Sequence, residues 1–334
     1  MNTRPAPDDA SRAPSPSRAP SPSRAPSPRE DRATPPERWL VFGATGYIGG
    51  RVVAHARSRG VDVSAIGSRD CDLLDADAVA RTFAACAQPL RVVVAAVTNK
   101  WVANDRASFH RNLSMSENLV DGLRHARDLR SLIYFSSADV YGRDVPLPIT
   151  ERTRIAPDSW YGLAKYNGEW MLRQPGDVPC PVTVVRVPGV YGHASHDRSV
   201  VRRMLDTLAA EGEIRVSGDG RTLRDLVFVD DLARLVCELL PLALDDTVNV
   251  ACGQSVTVRA LAEMTLAAVG RDAPIRHVPA DEARAFDLVF DNALLRTHLP
   301  EFRFTPLSAG LVSYADIVRR ETTSDPFHTP PTQD

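Results

Sequence analysis

The sequence predicts an α/β fold: a doubly wound parallel sheet with helices on both faces, and a smaller C-terminal α/β substrate lobe. Three observations predict it. Strand-length apolar runs alternate with helix-length segments through residues 39–187. The run 90–97 is apolar almost throughout, as in a strand covered on both faces. A glycine-rich turn joins the first strand to the first helix.

The elements follow in order. Residues 39–42 form a short strand, and 51–59 a helix that Gly60 can close. Residues 61–66 alternate as a second strand, 77–87 read as a helix, and 90–97 as the buried strand. Then come a helix over 112–127, a strand over 131–136, a helix over 161–172 and a strand over 182–187. Beyond this, helices over 199–211, 229–240 and 258–269 mix with short strands. The Gly218-Asp219-Gly220 stretch is a turn, and Asp230 and Asp231 suit the positive end of a helix. The expected division is a dinucleotide domain over 39–192 and a substrate lobe over 193–321 with returns to the sheet.

Composition bounds the rest. A chain of 334 residues suffices for one large or two modest domains. Its net charge of −2 argues against a nucleic-acid binder. Five cysteines without a C-x-x-C pair fit reduced thiols and a cytoplasmic protein. No apolar run approaches the roughly 18 residues of a membrane span, so no membrane partner is expected. Residues 1–38 hold 10 of the 26 prolines and repeat Ser-Arg-Ala-Pro-Ser-Pro three times, which reads as a disordered tail. Residues 322–334 read as a loose tail. Of the 40 basic residues, two are lysine, Lys100 and Lys165. In a chain that otherwise writes arginine, a surviving lysine marks a place where arginine does not serve.

The glycine run Gly43, Gly46, Gly49, with Tyr47 and Ile48 between, follows a strand and opens a helix. That context permits a tight turn, close approach to a pyrophosphate and close helix packing, the Rossmann-like arrangement for a dinucleotide. Arg69 lies 20 residues past Gly49, where the adenosine ribose is read. Its fork suits a 2′-phosphate, whereas the neighbouring Asp70 suits a free hydroxyl. The balance favours NADP(H) over NAD(H).

Tyr161 and Lys165 stand at i and i+4, on one face of a helix. A nearby ammonium is expected to lower the phenol pKa from about 10 toward neutrality, making Tyr161 a general acid/base for a carbonyl/alcohol pair. Ser137 ends the preceding strand, placed to hydrogen-bond the substrate oxygen. The loop stretch His193–Asp197 has the wrong spacing for helical metal ligands, and no metal is expected.

These motifs, with 71–75, 112–118, 136–142, 186–192 and 224–231, resemble the extended short-chain dehydrogenase/reductases that act as nucleotide-sugar epimerases, dehydratases and reductases. The resemblance covers about 39–321. It implies that Asp72 and Leu73 contact the adenine. Ala95, Ala96 and Val97 line the nicotinamide-side strand end, and Val187 and Pro188 lie beside the nicotinamide. Lys100 falls near cofactor and sugar, and Arg224 clamps the substrate diphosphate. The family's Asp-Glu pair of 4,6-dehydratases is Ala138-Asp139 here, which disfavours water elimination. Its substrate-contacting Asn is Gly189. The short stretch 67–75 is similar to that of NADPH-consuming reductases of the family. The resemblance thus implies NADP-dependent reduction of a 4-keto nucleotide sugar by Ser137, Tyr161 and Lys165. The alternatives are an NAD-dependent nucleotide-sugar 4-epimerase and a non-catalytic NADP-sensing protein. A homodimer is implied, formed through helices such as 112–127 and 161–172.

Overall fold

The computed structural model describes residues 37–193, 197–280, 286–321 and 327. The expected repeat tail (but for Glu37 and Arg38), His196 and most of the expected C-terminal tail lie outside these residues. In chain order the first half runs β1 (Arg38–Phe42), α1 (Tyr47–Ser58), β2 (Asp62–Ile66), α2 (Ala76–Ala84), β3 (Leu90–Val94), α3 (Arg106–Leu123), β4 (Leu129–Ser137), α4 (Trp160–Leu172) and β5 (Val182–Val187). There follow β6 (Gly189–Tyr191), α5 (Val200–Glu211), β7 (Ile214–Ser217), β8 (Leu223–Arg224), β9 (Leu226–Phe228) and α6 (Val229–Leu239). The chain continues with β10 (Asp246–Asn249), β11 (Val256–Thr257), α7 (Val258–Val269), β12 (Ile275–Val278), α8 (Ala293–His298) and α9 (Leu307–Glu321).

The central sheet has six parallel strands in the order β10-β5-β4-β3-β1-β2. The chain starts at β1, moves outward to β2, returns to β3 and proceeds the other way. The strand order therefore reverses between β1 and β3, and the crevice at their carboxyl ends is where such sheets bind ligands. Side chains alternate between two cores, as a strand period of two requires. Trp39, Val41, Val93, Ile133 and Val185 pack with α1 and α6. Leu40, Phe42, Val92, Leu132 and Val184 pack with α2 and α3 on the other face. No described helix is long and apolar enough to cross a membrane.

Several boundaries differ from the sequence reading: α1 begins at Tyr47 rather than 51, and α2 ends at Ala84 rather than 87. The strand expected over 90–97 ends at Val94; past it, Ala95 N–H still reaches the Phe42 carbonyl at 3.0 Å before the chain leaves the sheet. The helix expected from 112 starts six residues earlier, because Asp105 and Ser108 form a reciprocal capping box at 2.8 and 3.0 Å. The same helix ends at Leu123 rather than 127.

The remaining strands form three two-stranded pairs: β6 with β9, β7 with β12, and β8 with β11. Val201, Leu208, Ile214, Leu261, Leu311 and Tyr314 build their core with α5, α7 and α9. Phe327, within the expected C-terminal tail, is buried in this cluster. Between the lobe elements, α6 and β10 return to the sheet.

Candidate active site

The glycine turn leaves room for nothing but backbone. Gly43 has φ +80°, and a Cβ there would lie 2.6 Å from Ala96 N. A Cβ on Gly49 would lie 2.2 Å from the Gly43 carbonyl oxygen. Gly46 is the N-cap of α1 without a side-chain cap, so the first-turn N–H groups stay open to an anion. Ile48 packs into the core, and the Tyr47 hydroxyl donates to the Gly192 carbonyl. The turn thus has the cradle that a pyrophosphate needs.

The turn after β2 lies against this loop: a Cβ on Gly67 would meet Thr45 at 2.8 Å. Within it, Asp70 folds back and accepts from Gly67 N–H at 2.8 Å, while Arg69 is exposed. Asp72 is exposed and accepts from Leu74 N–H at 3.0 Å; Leu73 is buried, its carbonyl accepting from Asn118 at 2.8 Å. Ala95, Ala96 and Val97 are half-buried beyond β3. Val187 ends β5, and Pro188 follows it half-buried.

The end of β4 meets α4. Ser159 caps α4 by accepting from Gly162 N–H at 3.0 Å, and Asn104 accepts from Tyr161 N–H at 3.0 Å. Tyr161 is half-buried, with the Ser137 hydroxyl close enough to influence its phenol. Ser137 Oγ also accepts from Asp139 N–H at 3.2 Å. Lys165 is buried; its Nζ donates to the Phe135 carbonyl at 2.6 Å and lies 4.9 Å from the Tyr134 ring centre. Lys100 joins this group. Its Nζ lies 2.5 Å from Asp139 Oδ2 and 5.7 Å from the Tyr161 ring centre.

The electrostatics differ from the expected depression of the Tyr161 pKa. Burial, and then the Asp139 carboxylate, push the phenol well above its ordinary value, with Ser137 pulling the other way. Burial brings Lys165 down to about 7, and Glu169 opposes this. The reason is geometric: Lys165 turns its ammonium toward Phe135 and Tyr134, and desolvation weakens its hold on the proton.

Other positions depart from a simple pocket wall. A Cβ at Gly189 would lie 2.6 Å from Leu226 Cδ2, so an apolar side chain occupies the space a residue there would need. Ala138 is buried and offers no acid. Arg224 is half-buried; it donates to the Leu223 carbonyl at 2.7 Å and to the Phe286 carbonyl, beside the Phe286 ring. His193 meets Arg51 at 3.2 Å, and Asp197 accepts from Ser199 N–H at 2.7 Å. Among the described residues no cluster is arranged to hold a metal ion.

Sequence reasoning missed Glu169 and Arg186, a buried ion pair with Nη2–Oε2 at 2.6 Å. Two signals pointed to them. Glu169 continues the series 161, 165, 169, and Arg186 places a charge in the strand 182–187.

A parallel sheet with this glycine turn and this Ser–Tyr–Lys group defines a dinucleotide-dependent enzyme of the extended short-chain dehydrogenase/reductase type. The model of the NAD dependent epimerase/dehydratase family matches residues 39–251, and the chain belongs to that family. It is 29% identical over 217 residues to a putative GDP-L-fucose synthase 2 of Oryza sativa subsp. japonica, a match covering 59% of this chain and 62% of that one. It is 26% identical over 325 residues to dTDP-4-dehydro-6-deoxy-D-allose reductase of Streptomyces bikiniensis, covering 86% and 99%. Among solved structures, UDP-glucose 4-epimerase of Thermotoga maritima with UDP-glucose superposes with a TM-score of 0.74 at 22% identity, over 85% of this chain and 99% of that one. That likeness establishes the fold.

Proposed function

We propose that the protein reduces a 4-keto nucleotide sugar with NADP(H). The observation that carries the reaction is the convergence of Ser137, Tyr161 and Lys165 at one sheet edge. The reductase among the relatives, matched along nearly its whole length, supports the direction. The turn after β2 supports the cofactor: Arg69 is exposed for a 2′-phosphate, and Asp70 is engaged with its own turn.

Reduced nicotinamide, when bound, supplies the hydride. Gly43, Gly46 and Gly49 hold the pyrophosphate by backbone N–H groups, with Asp72 and Leu73 beside the adenine. Lys165 donates to the ribose hydroxyls. Ala95, Ala96, Val97, Val187 and Pro188 flank the nicotinamide. Ser137 donates to the 4-keto oxygen and orients it. Tyr161 delivers its proton to that oxygen as negative charge develops there. Lys100 and Asp139 border the sugar, and Arg224 faces the diphosphate. The reading includes a homodimer, for which Trp160 and Trp170, 42% and 56% exposed on α4, offer contact surface.

The test is direct. The purified protein is incubated with a 4-keto-6-deoxy nucleotide sugar and NADPH, and absorbance at 340 nm is followed. Stoichiometric oxidation of NADPH supports the reading. Tightly held NAD together with substrate-to-epimer conversion and no net oxidation would replace it with the 4-epimerase.

A further inference from the structure

Three consecutive residues at the end of β4 are each tied to one of three positions spaced four apart on α4. Ser137 meets Tyr161, the Phe135 carbonyl accepts from Lys165 Nζ, and the Ser136 hydroxyl donates to the Glu169 carboxylate. The first two pairs belong to the candidate site. The third is buried beneath it. Arg186 grips Glu169 with Nε at 3.0 and 3.2 Å and Nη2 at 2.6 Å. Arg186 is held in turn: it donates to the Tyr141 hydroxyl at 3.0 Å, which donates to Asn249 at 2.7 Å. A buried carboxylate with these bonds is fixed in place.

The groups around Lys165 come from several elements. Tyr161 and Glu169 share its helix. Tyr134 from β4 presents its ring, with Ser116 of α3 beside its hydroxyl. Arg186 of β5 is engaged with Glu169, and Asp139 with Lys100. Against the burial of Lys165, the charged group that supports its ammonium is Glu169. A buried ammonium with no carboxylate near it gives up its proton.

We propose that Glu169, clamped by Ser136 and Arg186 one helical turn beyond Lys165, is a positioning residue that keeps Lys165 charged where it sits against the Phe135 carbonyl. The proposal rests on the reading of Tyr161 and Lys165 as the cofactor-side pair. Glu169 touches neither cofactor nor substrate and acts through Lys165.

The test uses the scarcity of lysine. With two lysines in the chain, lysine-selective ¹³C labelling gives two side-chain signals, and Lys100→Arg assigns the one that remains. In the full-length protein the Lys165 signal is expected to titrate far below an exposed lysine. Glu169→Gln is expected to lower that midpoint by about one pH unit, and Glu169→Asp to restore most of it. Because Glu169→Gln leaves Arg186 without its carboxylate, Glu169→Gln with Arg186→Gln is made as well, and the same downward shift is expected. A variant that melts cooperatively and leaves the Lys165 midpoint where it was overturns the proposal. Dinucleotide binding is measured beside it. NADPH affinity of the variants is expected to lie within about twofold of the parent at pH 6 and fall about tenfold below it at pH 8. A parent protein that binds neither NADPH nor NADH would overturn the cofactor reading itself, whereas an unmoved midpoint overturns the part assigned to Glu169.

Discussion

Lys100 Nζ lies 2.5 Å from Asp139 Oδ2, and the pair stands against the ring of Tyr161. Lys165, the other lysine of the chain, lies against the ring of Tyr134 and donates to the Phe135 carbonyl. Asp139 raises the Tyr161 phenol pKa, and Lys100 shields that carboxylate. Asp139→Asn is expected to move the pH–rate midpoint governed by Tyr161 downward. Lys100→Met exposes the carboxylate and is expected to move it upward. Shifts of the same sign in both variants would refute this account.

Tyr161→Phe removes the proposed acid and preserves the ring. Turnover is expected to fall by roughly 10²–10⁴-fold while NADPH affinity stays within about twofold. Stopped-flow rates and fluorescence titration separate the two effects. Retention of full turnover would exclude Tyr161 as the acid.

Arg69→Ala is expected to weaken NADPH binding about tenfold or more and leave NADH binding nearly unchanged, because the lost contact is to the 2′-phosphate alone. Calorimetry with both dinucleotides checks it. Equal losses for both would remove Arg69 from cofactor selection.

Gly43→Ala should act differently. The new Cβ would meet the Ala96 backbone nitrogen at 2.6 Å, from a residue held at φ +80°. A cost of about 1–3 kcal/mol in stability is expected, with NADPH and NADH weakened alike. Melting curves and the same titrations report both, and a neutral substitution would show that the loop yields.

Asp225 links pH to stability. It is fully buried, accepts from Cys252 N–H at 2.9 Å and from Gly253 N–H at 2.8 Å, and burial raises its pKa to about 6. Against an unfolded value of about 3.9, the folded state binds more protons between about pH 4 and pH 6. The contribution of this group to stability therefore falls as pH rises through that window. Asp225→Asn sets an amide N–H against one backbone N–H and is expected to cost about 1–3 kcal/mol. Its deficit should narrow from pH 4 to pH 6, as read by urea unfolding; a deficit that widens would reverse the assignment.

Much of this was legible along the chain. The glycine turn, the buried strand over β3 and the Tyr161–Lys165 spacing are local patterns, set by the periods of helix and strand and by the sterics of a residue without Cβ. The capping box at Asp105 and Ser108 was equally local, but it lies before the apolar periodicity of α3 begins, so a reading by periodicity started the helix too late. Glu169 was present in the sequence as one more helical turn after Lys165. Its meaning depended on Ser136 and Arg186, which arrive from β4 and β5.

The sheet, the glycine turn and the Tyr161–Lys165 pair proposed for catalysis were legible along the chain, because each is specified by residues close together in it. The charge environment came from packing between distant segments. Lys100 and Asp139 are 39 residues apart and meet as an ion pair; Glu169 and Arg186 are 17 apart and meet in the core. Desolvation and pairing depend on what surrounds a group in space, and this is why the Tyr161 phenol, expected from spacing to be acidified by Lys165, is instead held protonated.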